Sequence, residues 1–197
     1  MTGVSKAISP TVASNGAIVG AAPIMSSDSR TLRQRYDDVR ARVASAAEKS
    51  GRRPSEIVLV AVTKHASIED IRELVSLGHL DLGENRVQQL VQRAAIVEEF
   101  VARRRERGTQ PTTAAAPVRW HMIGSLQRNK VKQAVDATRL IHSVDSLRLA
   151  EELQDYAEER GSAPGGEKFA PVDVLIAVNV AGERAKHGEG QRTGPPA

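Results

Sequence analysis

Apolar and polar positions follow two rhythms along the chain. In EIVLVAVTKHASIED, residues 56–70, Ile57 to Val62 carry no polar group. Such a run predicts a strand buried on both faces, as in a parallel sheet covered by helices. It stops at a lysine, and Lys64 falls just past the predicted strand end. Upstream, Leu32, Tyr36, Val39, Val43 and Ala46 recur at helical spacing, with Asp28 or Ser29 as N-cap and Gly51 then Pro54 ending the helix. Downstream, Ser67 and Asp70 form a capping box, Ile68, Ile71, Leu74 and Val75 a buried stripe, and Gly78 a stop.

The alternation then repeats. HLDLGEN reads as a short strand, and a helix with Val87, Leu90, Val91, Ala94 and Val97 on one stripe runs to about Arg105. RGTQPTTAAAP has the composition of a surface loop. VRWHMIG is the third strand, LQRNKVKQAVD a helix and LIHSVD the fourth strand. A helix capped by Ser146 and ended by Gly161 precedes a fifth strand at VDVLIAVNV. Strand starts lie 22 to 38 residues apart, which suits successive right-handed βαβ units.

Two parallel architectures fit that order, an open doubly wound sheet and a closed barrel. The first βα turn, VTKHASIED, contains no glycine, so neither a dinucleotide fingerprint nor a P-loop is present. Polar residues instead follow several strands, namely Lys64, Glu84, Asn85, His121, His142, Ser143 and Asn179. Convergence from many strands is the habit of a barrel mouth. The fold class expected is therefore α/β of the (β/α)8 TIM-barrel type, with about the first five βα units present.

Composition narrows the setting. The 197 residues are 40% hydrophobic, enough for one domain with a real core. The absence of cysteine excludes disulfides and thiolate metal sites and fits a cytoplasmic location. No segment approaches the roughly 18 consecutive apolar residues of a membrane span. A net charge of +4 admits an anionic partner, yet only 3% of residues are aromatic, which leaves few rings to stack on bases and disfavours nucleic acid. The five histidines show no metal-ligand spacing, and no serine-nucleophile elbow is visible. Arg103, Arg104 and Arg105 complement a helix C-terminus and read as a solvated face.

AVTK, GENRVQQL, WHMIGSLQRNK, HSVDS and VNVAGERAKHG, taken in order, resemble successive blocks of the pyridoxal-phosphate homeostasis protein family. That family has a single barrel similar to the N-terminal domain of alanine racemase. The resemblance covers roughly residues 30–188. It implies pyridoxal 5'-phosphate as cofactor, held as a Schiff base on Lys64, with cofactor-accepting apo-enzymes as possible partners. The chemistry agrees, because a lysine drawn into a pocket at a strand end loses hydration and becomes neutral enough to attack an aldehyde. Without the resemblance, Lys64 reads rather as a rim lysine reaching into solvent.

Asn85 either bonds the cofactor ring or caps the next helix. His121 points into the barrel or onto its helices, and the resemblance sets it beside the cofactor. Asn179 ends the fifth strand. Lys186, in the loop beyond, either meets the cofactor or is a solvated loop lysine. Gln127, Asn129 and Lys130 match the family without a derivable role beyond positioning a helix start.

The chain departs from the family at its end. Only 17 residues follow Val180, whereas closing an eight-stranded barrel takes three more units of about 30 residues each. The organisation expected is a disordered extension over 1–27, a partial barrel over 28–188 and a disordered tail over 189–197. Barrels of this kind take phosphate from loops after strands seven and eight, so impaired cofactor binding is expected, as are exposed apolar strand edges. A cofactor-binding homeostasis role without a defined reaction leads. A pyridoxal-phosphate-dependent racemase or decarboxylase is the alternative, and a basic nucleic-acid binder the outsider.

Overall fold

The computed structural model describes residues 30–108, 116–162, 171–180 and 189–190. Helix α1 (Leu32–Lys49) is capped by Thr31, whose side chain accepts from Gln34 N while the Gln34 side chain accepts from Thr31 N. The N-cap is thus Thr31 rather than Asp28 or Ser29, because this pairing needs Gln three residues on. Gly51 at φ +73° ends the helix. Its inner stripe is shallower than the spacing suggests: Ala47 is buried and Val39 exposed.

Strand β1 is Ala61–Val62 alone, shorter than the apolar run. Its sole neighbour β2 (Asp81–Glu84) reaches back only to Asp81, so residues 57–59 have no ladder partner on that side. Nor is the run buried on both faces, since Val58 is 65% and Val62 55% exposed. Helix α2 (Ile68–Ser76) bears the expected Ser67–Asp70 capping box, buries Ile71, Leu74 and Val75, and stops before Gly78 at φ +86°.

Helix α3 (Val87–Glu106) buries Val87, Leu90 and Val97. Then come β3 (Arg119–Met122), α4 (Val131–Ala137) led in by a 3-10 turn over Arg128–Lys130, β4 (Leu140–Val144) and α5 (Leu147–Ser162). Gly161 does not end α5, which continues through it. The fifth apolar run splits into β5 (Val174–Ile176) and β6 (Val178–Asn179). Ala177 N still bonds Val144 O at 2.8 Å, but β4 ends at Val144, and β6 pairs instead with β7 (Glu189–Gly190). Those two tail residues therefore lie in a strand, where the composition predicted disorder.

The main sheet is wholly parallel in the order β1-β2-β3-β4-β5. Successive neighbours without a reversal give no switch point of the doubly wound kind. One face carries Leu82, Trp120, Met122 and Ile141, which pack with Ile71, Leu90, Val97, Val131, Ala134 and Leu149 of the helices in a single core. Each fully buried aliphatic there contributes roughly 1.5–3 kcal/mol. At the edges Val174, Leu175 and Ile176 stay exposed, Ile176 by 69%. Among the described residues no helix is long and apolar enough to cross a membrane.

Candidate functional site

The other face of the sheet is polar. Register pairs Asp81 with Arg119, Gly83 with His121 and Val62 with Gly83, so these residues project to the side away from the helices. His121 thus points to the inner face, which resolves its two open orientations. There the Arg119 guanidinium grips Asp81 through two hydrogen bonds, Nε to Oδ1 at 2.7 Å and Nη2 to Oδ2 at 2.5 Å. His121 Nε2 lies 3.1 Å from Asp81 Oδ1, and its Nδ1 lies 2.9 Å from His142 Nε2.

Chemistry fixes the protons of this chain. A carboxylate only accepts, so His121 Nε2 carries hydrogen. Between the two rings one nitrogen donates and the other accepts. Burial alone would raise the Asp81 carboxyl, but the bonds from Arg119 and His121 outweigh it and hold it below the usual value. Arg119 rises in return through its bond to Asp81. Burial first, and then the charge of His121, lowers His142. His79, buried behind Asp81, is lowered by desolvation although its Nε2 donates to Asp81 O at 2.9 Å and its Nδ1 faces Tyr36 Oη at 3.1 Å.

Lys64, Asn85 and Ile123 follow within two residues of the ends of β1, β2 and β3 and so lie along the C-terminal rim of the sheet, with His142 in β4. Lys64 is exposed, and its ammonium has no hydrogen bond or ion pair among the described residues. Asn85 is not the cap of α3: Arg86 holds that position, without a side-chain cap bond. Its backbone is instead pressed by Gly124, where an added Cβ would sit 2.3 Å from Asn85 O. Gly83 is likewise packed over, by the side chains of Val60 and Ile123, which an added Cβ would meet at 3.1–3.4 Å.

Lys64 and Asn85 are therefore brought to the C-terminal rim of the sheet whose inner face carries His121. Asn179 stands apart on β6, and Lys186 lies outside the described residues. The sequence reading missed Asp81, Arg119 and Arg93. Asp81 follows a histidine and a leucine in an ordinary short strand, and only the register with Arg119 marks it. Among the described residues no group of three or more His, Asp or Glu side chains is placed to hold a metal ion.

No protein-family model matches the chain. Against curated proteins it is 33% identical over 158 residues to the pyridoxal phosphate homeostasis protein of Pseudomonas aeruginosa, a stretch covering 80% of this chain and 58% of that one. The proteins of the same name from Mycobacterium leprae and Escherichia coli are 33% and 31% identical over 150 residues, each covering 76% of this chain and 55% of theirs. Among solved structures, an unknown protein from Bifidobacterium adolescentis matches with a TM-score of 0.63 at 34% identity, over 80% of this chain and 58% of that one. PipY of Synechococcus elongatus, solved with PLP bound, matches with a TM-score of 0.51 at 29% identity, over 75% and 58%. This chain spans little more than half the length of the curated relatives it matches. Over most of its own length it is a homologue of the pyridoxal phosphate homeostasis proteins.

Proposed function

We propose that the chain is a pyridoxal 5'-phosphate binding protein of the homeostasis type, with the cofactor held as a Schiff base on Lys64. The sheet is read as the first part of a (β/α)8 barrel whose mouth is the rim bearing Lys64 and Asn85. The observation that carries this is a lysine whose ammonium group has no hydrogen bond or ion pair among the described residues, just past the C-terminal end of the first strand of a sequential parallel sheet. Groups that act in parallel barrels come from such strand ends.

The residues fit the cofactor. Lys64 offers a primary amine at the rim, and Gly124 lets the segment after β3 approach the Asn85 backbone there. When bound, pyridoxal phosphate supplies an aldehyde that condenses with an amine and releases water. Asn85 is placed to orient the ring, and His121, tethered by Asp81, presents a fixed imidazole on the inner face of the same sheet. Asn179 and Lys186 complete the proposed set on motif resemblance. The physiological role proposed is delivery of the cofactor to apo-enzymes in the cytoplasm.

Titration of the purified chain with pyridoxal 5'-phosphate, followed by the imine absorbance band, tests the reading. The band grows to saturation in the wild type and is lost in Lys64→Ala. An equal band in both proteins refutes Lys64 as the attachment point.

A further inference from the structure

We infer that Arg93 and Glu84 are positioning residues for Lys64, holding the turn that carries it at one height against the sheet. The inference rests on the assignment of Lys64 proposed above. The turn from β1 to α2, Thr63 to Ala66, is fastened to α3 at three of its four carbonyls. Arg93 Nη1 donates to Thr63 O, Arg93 Nη2 donates to Ala66 O at 2.8 Å, and Gln89 Nε2 reaches Lys64 O at 3.4 Å. Gln89 and Arg93 stand one helical turn apart and so share a face of α3.

Glu84, at the end of β2, completes the clamp. Its Oε1 accepts from Arg93 Nη1 and from Thr63 Oγ1, the latter at 2.5 Å. The Glu84 side chain is 0% and that of Arg93 14% exposed, and Glu84 Oε2 is buried without a hydrogen-bond partner among the described residues.

Stability alone is a poor reason for this arrangement. A four-residue βα turn at the surface satisfies its carbonyls with water. A buried ion pair roughly breaks even after desolvation, and a buried orphan oxygen is a net cost. What the network does provide is a single backbone path on either side of Lys64. Thr63 is drawn to the helix side, so the backbone leaves β1 for Lys64 along one course. The lysine side chain is itself unrestrained, so its reach is set by where its Cα is held. Condensation requires the amine nitrogen within about 3–3.5 Å of the aldehyde carbon, in line for attack.

The test compares wild type, Arg93→Met, Arg93→Lys and Glu84→Gln in timed borohydride trapping with pyridoxal 5'-phosphate. The modified fraction of Lys64 is measured against surface lysines in the same digest. Pyridoxine 5'-phosphate, an alcohol that forms no imine, is titrated alongside as a probe of the pocket. Arg93→Met is expected to slow Lys64 trapping about tenfold, leaving other lysines and pyridoxine 5'-phosphate affinity unchanged. Arg93→Lys, which keeps the charge but cannot bridge two carbonyls, recovers part of the rate, and Glu84→Gln falls between. Should Arg93→Met fail to fold, the two conservative variants carry the comparison. Variants that trap Lys64 as fast as wild type overturn the positioning role while leaving Lys64 assigned. A wild type that labels Lys64 no faster than surface lysines overturns the assignment, and the inference with it.

Discussion

Replacing Gly124 by alanine tests the rim of the site through a contact that the coordinates make quantitative. A Cβ at this position would lie 2.3 Å from Asn85 O and 2.8 Å from both Asn85 Cα and Cβ. An ordinary carbon–oxygen contact is about 3.3 Å, so the two segments must part by about 1 Å. Neither is free to do so. Gly124 O accepts from Ser143 Oγ at 2.5 Å, and Ile123 N donates to Glu84 O at 2.9 Å. Overpacking of this kind costs about 1–3 kcal/mol, which for a chain of this size lowers Tm by roughly 2–12 °C. Gly83→Ala is the control, because its Cβ would meet the side-chain methyls of Val60 and Ile123 at 3.1–3.4 Å, and methyls yield more readily than backbone. Thermal denaturation followed by circular dichroism should rank wild type, Gly83→Ala and Gly124→Ala in falling order. The imine band should weaken in Gly124→Ala as Asn85 shifts. If Gly124→Ala melts with wild type and keeps its band, the close approach at Asn85 does not exist and the rim is not built as described.

Three further outcomes follow from the buried titratable groups and the exposed apolar residues of β5. His79 and His142 are both lowered from 6.5, chiefly by burial, so the unfolded chain takes up protons that the folded chain resists. Stability should accordingly be flat above about pH 7 and fall as the pH drops below about 6.5; denaturant melts of a His79→Gln/His142→Gln variant should show a shallower fall, and equal slopes would refute the assignment. Asp81, held below its usual 3.8, contributes stability above that value and loses it only at more acid pH, while its charge also raises His79, so Asp81→Asn should steepen the fall below about pH 6.5 rather than flatten it. Ile176→Lys, at the most exposed apolar position of β5, should reduce self-association in sedimentation velocity, and an unchanged distribution would show that this edge does not drive it.

Much of this was legible in the sequence because its causes are local. The Ser67–Asp70 capping box, the stop at Gly78, the stripe of α3 and the strands around His121 and His142 follow from side-chain periodicity and cap chemistry. The place of Lys64 just past the first strand was legible for the same reason, as the first charge after an apolar run. What escaped depends on partners distant in sequence. The length of β1 is set by where β2 begins, and the break at Ala177 by where β4 ends. Arg93 looks like any exposed helix arginine until the fold brings it against Thr63, Ala66 and Glu84. Asp81 acquires its meaning only through the register that sets Arg119 and His121 beside it.

The most direct measurement is to incubate the chain with pyridoxal 5'-phosphate, reduce with borohydride, digest, and map the modified lysines by mass spectrometry, with Lys64→Ala alongside. The account predicts preferential, saturable labelling of Lys64 that no other lysine takes over in the variant. Labelling spread over surface lysines, unchanged by Lys64→Ala, would contradict it.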